Sequence, residues 1–351
     1  METNTRIFIT GLGSISALGY GADAAWESML AGKGNIKIKD DWSSPRIKPQ
    51  FYGEVPNVKF DDEVKWDERF LPQQYSKLGI LACKKALDDA HIILKELDNE
   101  IGLIIETSLG ATASVEDYLY DLYRHGLPKI SPLKFTKTVA NTVLGDISRT
   151  FKLNGPSSLI YNSNSITYGF DLIKKGVADI VICGGVDHYT EYRILSEQEN
   201  NNLVFVGGNK NSYSAVADET DCKRNILGDG AAFIVLESET SKIKRDAKGY
   251  AELVEYHSNF DYNNVDDANQ RSINIIDDAF AALKPIIQSG KKVAYLSAYT
   301  TNKQMEKSEG HVVEKLRLDD EAYSLCHKAY TGDMKSASCV MGASIASQNG
   351  H

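Results

Sequence analysis

The chain has 351 residues, with 39 Lys+Arg against 48 Asp+Glu for a net charge of −9, and is 42 % hydrophobic and 25 % charged. These proportions fit a globular protein of one large domain or two fused halves, and they exclude a disordered or collagen-like chain. No apolar run reaches the roughly 18 residues of a membrane span, and the acidic balance disfavours nucleic acid as the main partner.

In chain order, Arg6 to Thr10 is a short apolar run of the buried-strand type, followed by Gly11-Leu12-Gly13. A dinucleotide fingerprint needs Gly or Ala at position 16, where Ser16 stands, so the glycines are read as a turn feeding a helix from Ala22 to Ala31. Residues 35–72, with Pro45, Pro49 and Pro56, read as a loop-rich insertion. A long helix is expected from Tyr75 to Leu94, a buried strand from Ile101 to Ile105, and helices over Thr112 to Arg124 and Asn141 to Phe151. Gly155-Pro156 opens a strand at Ser158 to Asn162; a helix near Ile166 to Lys175 and a strand at Ala178 to Cys183, ended by Gly184-Gly185, follow. Strands alternating with helices imply a parallel sheet covered on both faces.

After a polar linker from Glu197 to Asp221 the theme repeats. Ala231 to Leu236 and Tyr250 to Tyr256 read as neighbouring strands. Asn269 to Leu283 and Asp319 to Ala329 read as helices, and Val293 to Ala298 as a strand. The division expected is residues 1–200 and 201–351. The five cysteines (Cys83, Cys183, Cys222, Cys326 and Cys339) form no CxxC pair and read as reduced thiols. Met1 to Thr5 lacks a signal-like pattern, so a cytoplasmic location is expected. The seven histidines show no metal-binding spacing, and no cofactor is expected. The Lys242 to Lys248 cluster reads as a solvated loop.

The segments Ile9-Thr10-Gly11-Leu12-Gly13, Ser131-Pro132, Asn141, Gly155-Pro156-Ser157, Gly176-Val177-Ala178-Asp179, Gly184-Gly185, Gly228-Asp229-Gly230-Ala231-Ala232, Leu236-Glu237 and Lys335-Ser336 follow one another at close to the spacing of a known family. In that order they resemble the β-ketoacyl synthases. The resemblance covers almost the whole chain. It implies an α/β thiolase-like fold, two related βαβ halves in a layered α-β-α-β-α core, with the second half shortened at its C-terminus. It also implies that Gly228-Asp229-Gly230 is a tight structural turn, not a phosphate loop.

A condensing enzyme of this family takes the acyl chain on a cysteine at the N-terminus of a buried helix, where the helix end favours thiolate. Two histidines assist decarboxylation and stabilise the enolate. Counting from Gly155-Pro156, the cysteine position falls on Asn164, and no thiol lies between Cys83 and Cys183. The first histidine position falls on Tyr299, and the second on Val340 or, with a one-residue gap, Cys339. An amide cannot carry a thioester, a phenol with reference pKa near ~10 is a poor imidazole, and valine moves no proton.

This combination is most similar to the chain-length factors (ketosynthase β subunits) of type II polyketide or aryl-polyene synthases, in which glutamine usually replaces the cysteine. The resemblance implies a non-catalytic subunit, a cysteine-bearing ketosynthase partner, an acyl carrier protein, and a tunnel lined by Thr112, Val115 and Leu119. Their spacing shares one helical face, which equally suits ordinary packing; Tyr118, Tyr120 and Tyr123 on the same helix read as interface residues. A basic surface for the acidic carrier has only Lys134, Lys137 and Arg149 as candidates. The competing readings are a stand-alone decarboxylase, thioesterase or acyltransferase using Ser163 or Ser165, which needs a base in reach, and a scaffold that only stabilises its partner.

Overall fold

Why the apolar runs matter is visible in a computed structural model of the chain, which describes residues 5–66, 72–94, 100–203, 225–258, 276–284, 295–297, 311, 314 and 324–348. The first half comprises β1 (Ile7–Ser16), β2 (Gly19–Tyr20), α1 (Ala22–Leu30), β3 (Ile36–Lys39), β4 (Gln50–Gly53), α2 (Phe60–Glu63), α3 (Gln74–Asp89), β5 (Gly102–Thr107) and α4 (Thr112–His125). Then come α5 (Pro132–Phe135), α6 (Thr142–Phe151), β6 (Ser157–Tyr161), α7 (Ser165–Lys174), β7 (Ile180–Asp187) and α8 (Glu191–Glu199). Beyond residue 200 lie β8 (Leu227–Gly228), β9 (Gly230–Ser238), α9 (Glu239–Lys244) and β10 (Ala251–Leu253). The last elements are α10 (276–284), β11 (Tyr295–Ser297), β12 (Ser324–Cys326), α11 (Lys328–Thr331) and α12 (Ser336–Gln348).

The main sheet has the order β10-β1-β9-β7-β5-β6, with β2 folded back on β1. It is mixed, not parallel as the alternation of elements suggested. β5 runs parallel to β6 and β7, but β9 runs antiparallel to both β7 and β1. Nor are β9 and β10 neighbours: β1 lies between them, pairing with each.

Strand alternation divides the apolar side chains between two cores. Leu103, Ile105, Ile182, Val186, Phe233 and Val235 pack with α3 and α6 on one face. Ile104, Val181, Cys183, Ile234 and Leu236 pack with α7 and α12 on the other. Because both faces are covered, β7 and β9 are buried at every position, which is why they read as continuous apolar runs. A short parallel pair, β11–β12, contacts α12. The helix expected from Asp319 to Ala329 is a strand at Ser324–Cys326, because pairing with β11 overrides local propensity there. Among the described residues no helix is long and apolar enough to cross a membrane.

Glycines set the layer spacing. Gly11 and Gly13 are not a turn; β1 continues through them to Ser16. A Cβ at Gly13 would overlap Ala82 O and Ala86 N, so the α3 backbone rests directly on the strand. Gly184-Gly185 likewise lies within β7, not at its end. A Cβ at Gly185 would come 2.5 Å from Ser336 O, where α12 begins.

Asp187, the last residue of β7 and 0 % exposed, joins three segments. Its carboxylate accepts from Thr107 Oγ1 (2.8 Å), the backbone N–H of Ser108 (3.0 Å) and Leu109 (2.8 Å), and the N–H of Ser336 (2.9 Å). Removing a partner from buried donors costs about 1–3 kcal/mol per unsatisfied group. Asp187→Ala is therefore expected to lower stability by at least about 3 kcal/mol, and Asp187→Asn, which keeps one acceptor oxygen, by less. Urea unfolding checks this; an unchanged midpoint in Asp187→Ala would remove the carboxylate from its central place.

Candidate functional site at the start of α7

The carboxyl ends of β5 and β7 bring Glu106, Thr107 and Asp187 to the N-termini of α7 and α12. α7 starts where it does because Asn164, in extended conformation, caps it. Asn164 Oδ1 accepts from the N–H of Ile166 (3.0 Å) and Thr167 (3.3 Å), as Asn does at this position. Its Nδ2 donates to Cys339 Sγ on α12, 3.4 Å away.

Behind the cap lies Glu106, 1 % exposed on β5, one strand in from the edge strand β6. Its Oε1 accepts from Ser165 Oγ (3.3 Å), and the N–H of Ser165 also points at this carboxyl. Burial raises the Glu106 pKa to about 8, against the pull of the Ser165 bonds. The Cys339 thiol is exposed yet raised to about 12, by desolvation and then by the nearby Glu106 carboxylate. At neutral pH it is a protonated thiol and not a nucleophile.

The structure brings Asn164 and Cys339 together but not Val340, whose side chain is 0 % exposed in the core with Met341 and Ile345. Of the two places open for the second histidine, only Cys339 faces Asn164. Tyr299 lies outside the described residues. Thr112 and Val115 are half-buried on α4 and Leu119 is 53 % exposed; Thr112 Oγ1 donates to Leu109 O. Ser165 is fully buried and bonded to Glu106, whereas Ser163 is exposed, and no described histidine hydrogen-bonds either.

Lys134 pairs with Asp121, while Lys137 and Arg149 share Asp146, so the candidate carrier-binding cations are already engaged. In Gly228-Asp229-Gly230, Asp229 is the single residue between β8 and β9; a Cβ at Gly228 would meet Thr331 O, and Asp229 accepts the Tyr189 N–H (2.9 Å). Lys335 holds a left-handed φ of 50°, fixed by Asp333, which accepts its N–H (3.2 Å) and pairs with Lys328 (3.0 Å). Among the described residues no three His, Cys, Asp or Glu side chains could hold a metal.

Two groups escaped the sequence reading. Glu106 carried a signal, a charge inside the buried run Gly-Leu-Ile-Ile-Glu-Thr, but the strand was ended one residue short of it. His188 had none: its pairing with Asp229 (3.1 Å) joins residues 41 apart in sequence, the difference 229 − 188. Burial works to lower the His188 pKa, but Asp229 and then Glu116 outweigh it and raise it.

Comparison with known proteins places this geometry. A sequence model described as "Beta-ketoacyl synthase, N-terminal domain" matches residues 4–242. The 3-oxoacyl-[acyl-carrier-protein] synthase 2 of Synechocystis is 25 % identical over 266 residues, 72 % of this chain and 62 % of that protein. The Staphylococcus aureus synthase of the same name is 26 % identical over 271 residues, 73 % of this chain and 63 % of its own length. The chain thus spans less than two thirds of these relatives. Among solved structures, the ishigamide ketosynthase/chain length factor has a TM-score of 0.81 at 20 % identity, covering 98 % of this chain and 86 % of its own. A type II PKS acyl-carrier protein in complex with its ketosynthase has a TM-score of 0.79 at 20 % identity, with the same coverage. The cap, the layers and the matched 4–242 segment agree: the chain belongs to the β-ketoacyl synthase family and has its thiolase-like fold.

Proposed function

We propose that this chain is a non-catalytic chain-length subunit, which pairs with a cysteine-bearing ketosynthase and shapes the tunnel that sets polyketide or polyene length. The observation that carries this reading is Asn164: the cap of α7 holds an amide where a condensing enzyme needs a thiol, and the nearest thiol, Cys339, is held protonated. Among the described residues no histidine hydrogen-bonds Ser163 or Ser165, which disfavours stand-alone acyl chemistry.

The surface supports a partner. β6 ends the sheet, with Ser157 and Tyr161 exposed at its termini. On α4 and α5, Leu119, Tyr120, Tyr123 and Phe135 are all more than half exposed. An open sheet edge and an apolar helix face are surfaces that a related chain would cover. The name of the ishigamide ketosynthase/chain length factor describes such a pairing in a protein of this fold. With a net charge of −9 and with Lys134 and Lys137 already paired, this chain leaves the basic docking face for an acidic acyl carrier protein to the ketosynthase.

Coexpressed with the ketosynthase from its own gene neighbourhood, the chain is expected to run at the native mass of a 1:1 heterodimer that condenses malonyl units. Alone it should be inert. An active homodimer with no affinity for the ketosynthase would refute the subunit reading. In the heterodimer, Leu119→Ala should lengthen the product and Val115→Trp shorten it, read by product mass. Unchanged products from both would reduce the chain to a scaffold.

A further inference from the structure

α4 is lightly seated. Of its 14 residues only Ser114 is buried, and Leu119, Tyr120 and Tyr123 are more than half exposed. A helix normally takes its place from the apolar face it buries. α4 buries almost none, so polar contacts must do more of that work. The turn leading into it is held by Asp187, which accepts the N–H of Leu109 (2.8 Å). Within the helix itself, among the described residues, the side-chain hydrogen bond that reaches the body runs from Thr190 Oγ1 to Glu116 Oε1 (2.6 Å). The other side-chain bonds of α4 are local: Thr112 Oγ1 donates to Leu109 O, and Asp121 pairs with Lys134 of the neighbouring α5.

Both ties come from residues 187–190. Asp187 ends a strand buried at every position, and Thr190 caps α8 by accepting the N–H of Arg193 (3.2 Å). Between them His188 pairs with Asp229 (3.1 Å), and Tyr189 donates its N–H to the same carboxylate (2.9 Å). Thr190 is therefore held by a strand, a helix and the β8–β9 junction, and is 8 % exposed. Glu116 meets it as a half-buried carboxyl. Burial raises the Glu116 pKa, and the bond from Thr190 pulls the other way. A glutamate on a helix surface ordinarily points to water; this one is turned onto a buried hydroxyl, in a short bond of the charge-assisted kind.

The place of this bond along the helix matters. Thr112 lies one turn before Glu116 and Leu119 one turn after it on the same face, and Val115 is its neighbour in the chain. We infer that Glu116 is a positioning residue: its bond to Thr190 sets how far α4 stands from the end of β7, and with it the width of the tunnel and the length of the product. The length role rests on the chain-length reading; the seating of α4 does not.

Amide hydrogen exchange of the full chain reads the seating. Glu116→Met fills the space without an acceptor. Peptides of α4 should exchange about tenfold faster in it, since a hydrogen bond to a charged group is worth at least that factor, while peptides of β7 stay unchanged. Glu116→Gln, which keeps an acceptor oxygen at the same reach, should recover most of the protection, a rescue that a role in bulk alone would not produce. Thr190→Val removes the bond from the other side together with the α8 cap, and adding it to Glu116→Met should speed α4 no further. Wild-type exchange in Glu116→Met would overturn the inference. In the coexpressed heterodimer, Glu116→Met should broaden the product lengths and Glu116→Gln should keep them, read by product mass. Faster α4 exchange with unchanged products would overturn the length role. Absence of any heterodimer would refute the subunit reading and the length role with it, and the exchange rates would still decide the seating.

Discussion

The Asp187 carboxylate is the joint on which the site depends. It sits at the end of a strand buried at every position, and its donors come from the turn after β5 and from the first residue of α12. Ser108 Oγ and Ser336 Oγ add a 2.8 Å contact across the same joint. Through these bonds the helix bearing Cys339 is registered against the strand bearing Glu106, and the start of α4 is tied to both. The short Asn164–Cys339 contact follows from that registration and not from any affinity of an amide for a thiol. Hydrogen bonds among buried groups reinforce one another in this low-dielectric setting.

Around that joint the structure gathers an amide, a carboxyl and a thiol at the starts of two helices. The helix end that would favour a thiolate is capped by an amide, and a carboxyl whose pKa is about 8 stands behind it. Among the described residues the one exposed thiol, Cys339, is raised out of the reactive range by desolvation and then by that carboxyl. A second buried polar cluster, His188 with Asp229 and Glu116, links the turn after β8 to α4, the helix with the exposed aromatic face. This cluster ties the β8–β9 junction to the helix whose exposed face is proposed to meet a partner.

Much of the layering was legible in the sequence, because burial writes itself into apolar runs. β5, β7 and β9 were located by Ile101 to Ile105, Ala178 to Cys183 and Ala231 to Leu236, and α4 and α6 fell within a residue or two of their expected bounds. Glycine misled in a consistent way. Gly11, Gly13, Gly184 and Gly185 were read as breaks, yet all lie inside strands where a helix backbone or an aromatic ring comes close. Strand direction was not legible, since β9 has the same composition whether parallel or antiparallel. The place of Asn164 was readable by counting from Gly155-Pro156. The choice between Val340 and Cys339 was not, because it depends on which face of α12 meets α7. Glu106 needed the strand to be followed one residue further.

The glycine seams constrain the chain more tightly than the cap of α7 does. At Gly13 and Gly185 a single added carbon would meet backbone atoms, so even alanine demands that a whole helix shift. At the cap of α7, by contrast, Cys, Asn, Ser or Asp can all be seated with little disturbance to the layers. Mutation is therefore free to drift at the position that performs the reaction and confined at positions that touch no substrate. Family membership is therefore recorded more firmly in the glycines than in the side chain at the cap. The chain's ancestry stays readable in residues whose only property is to be small.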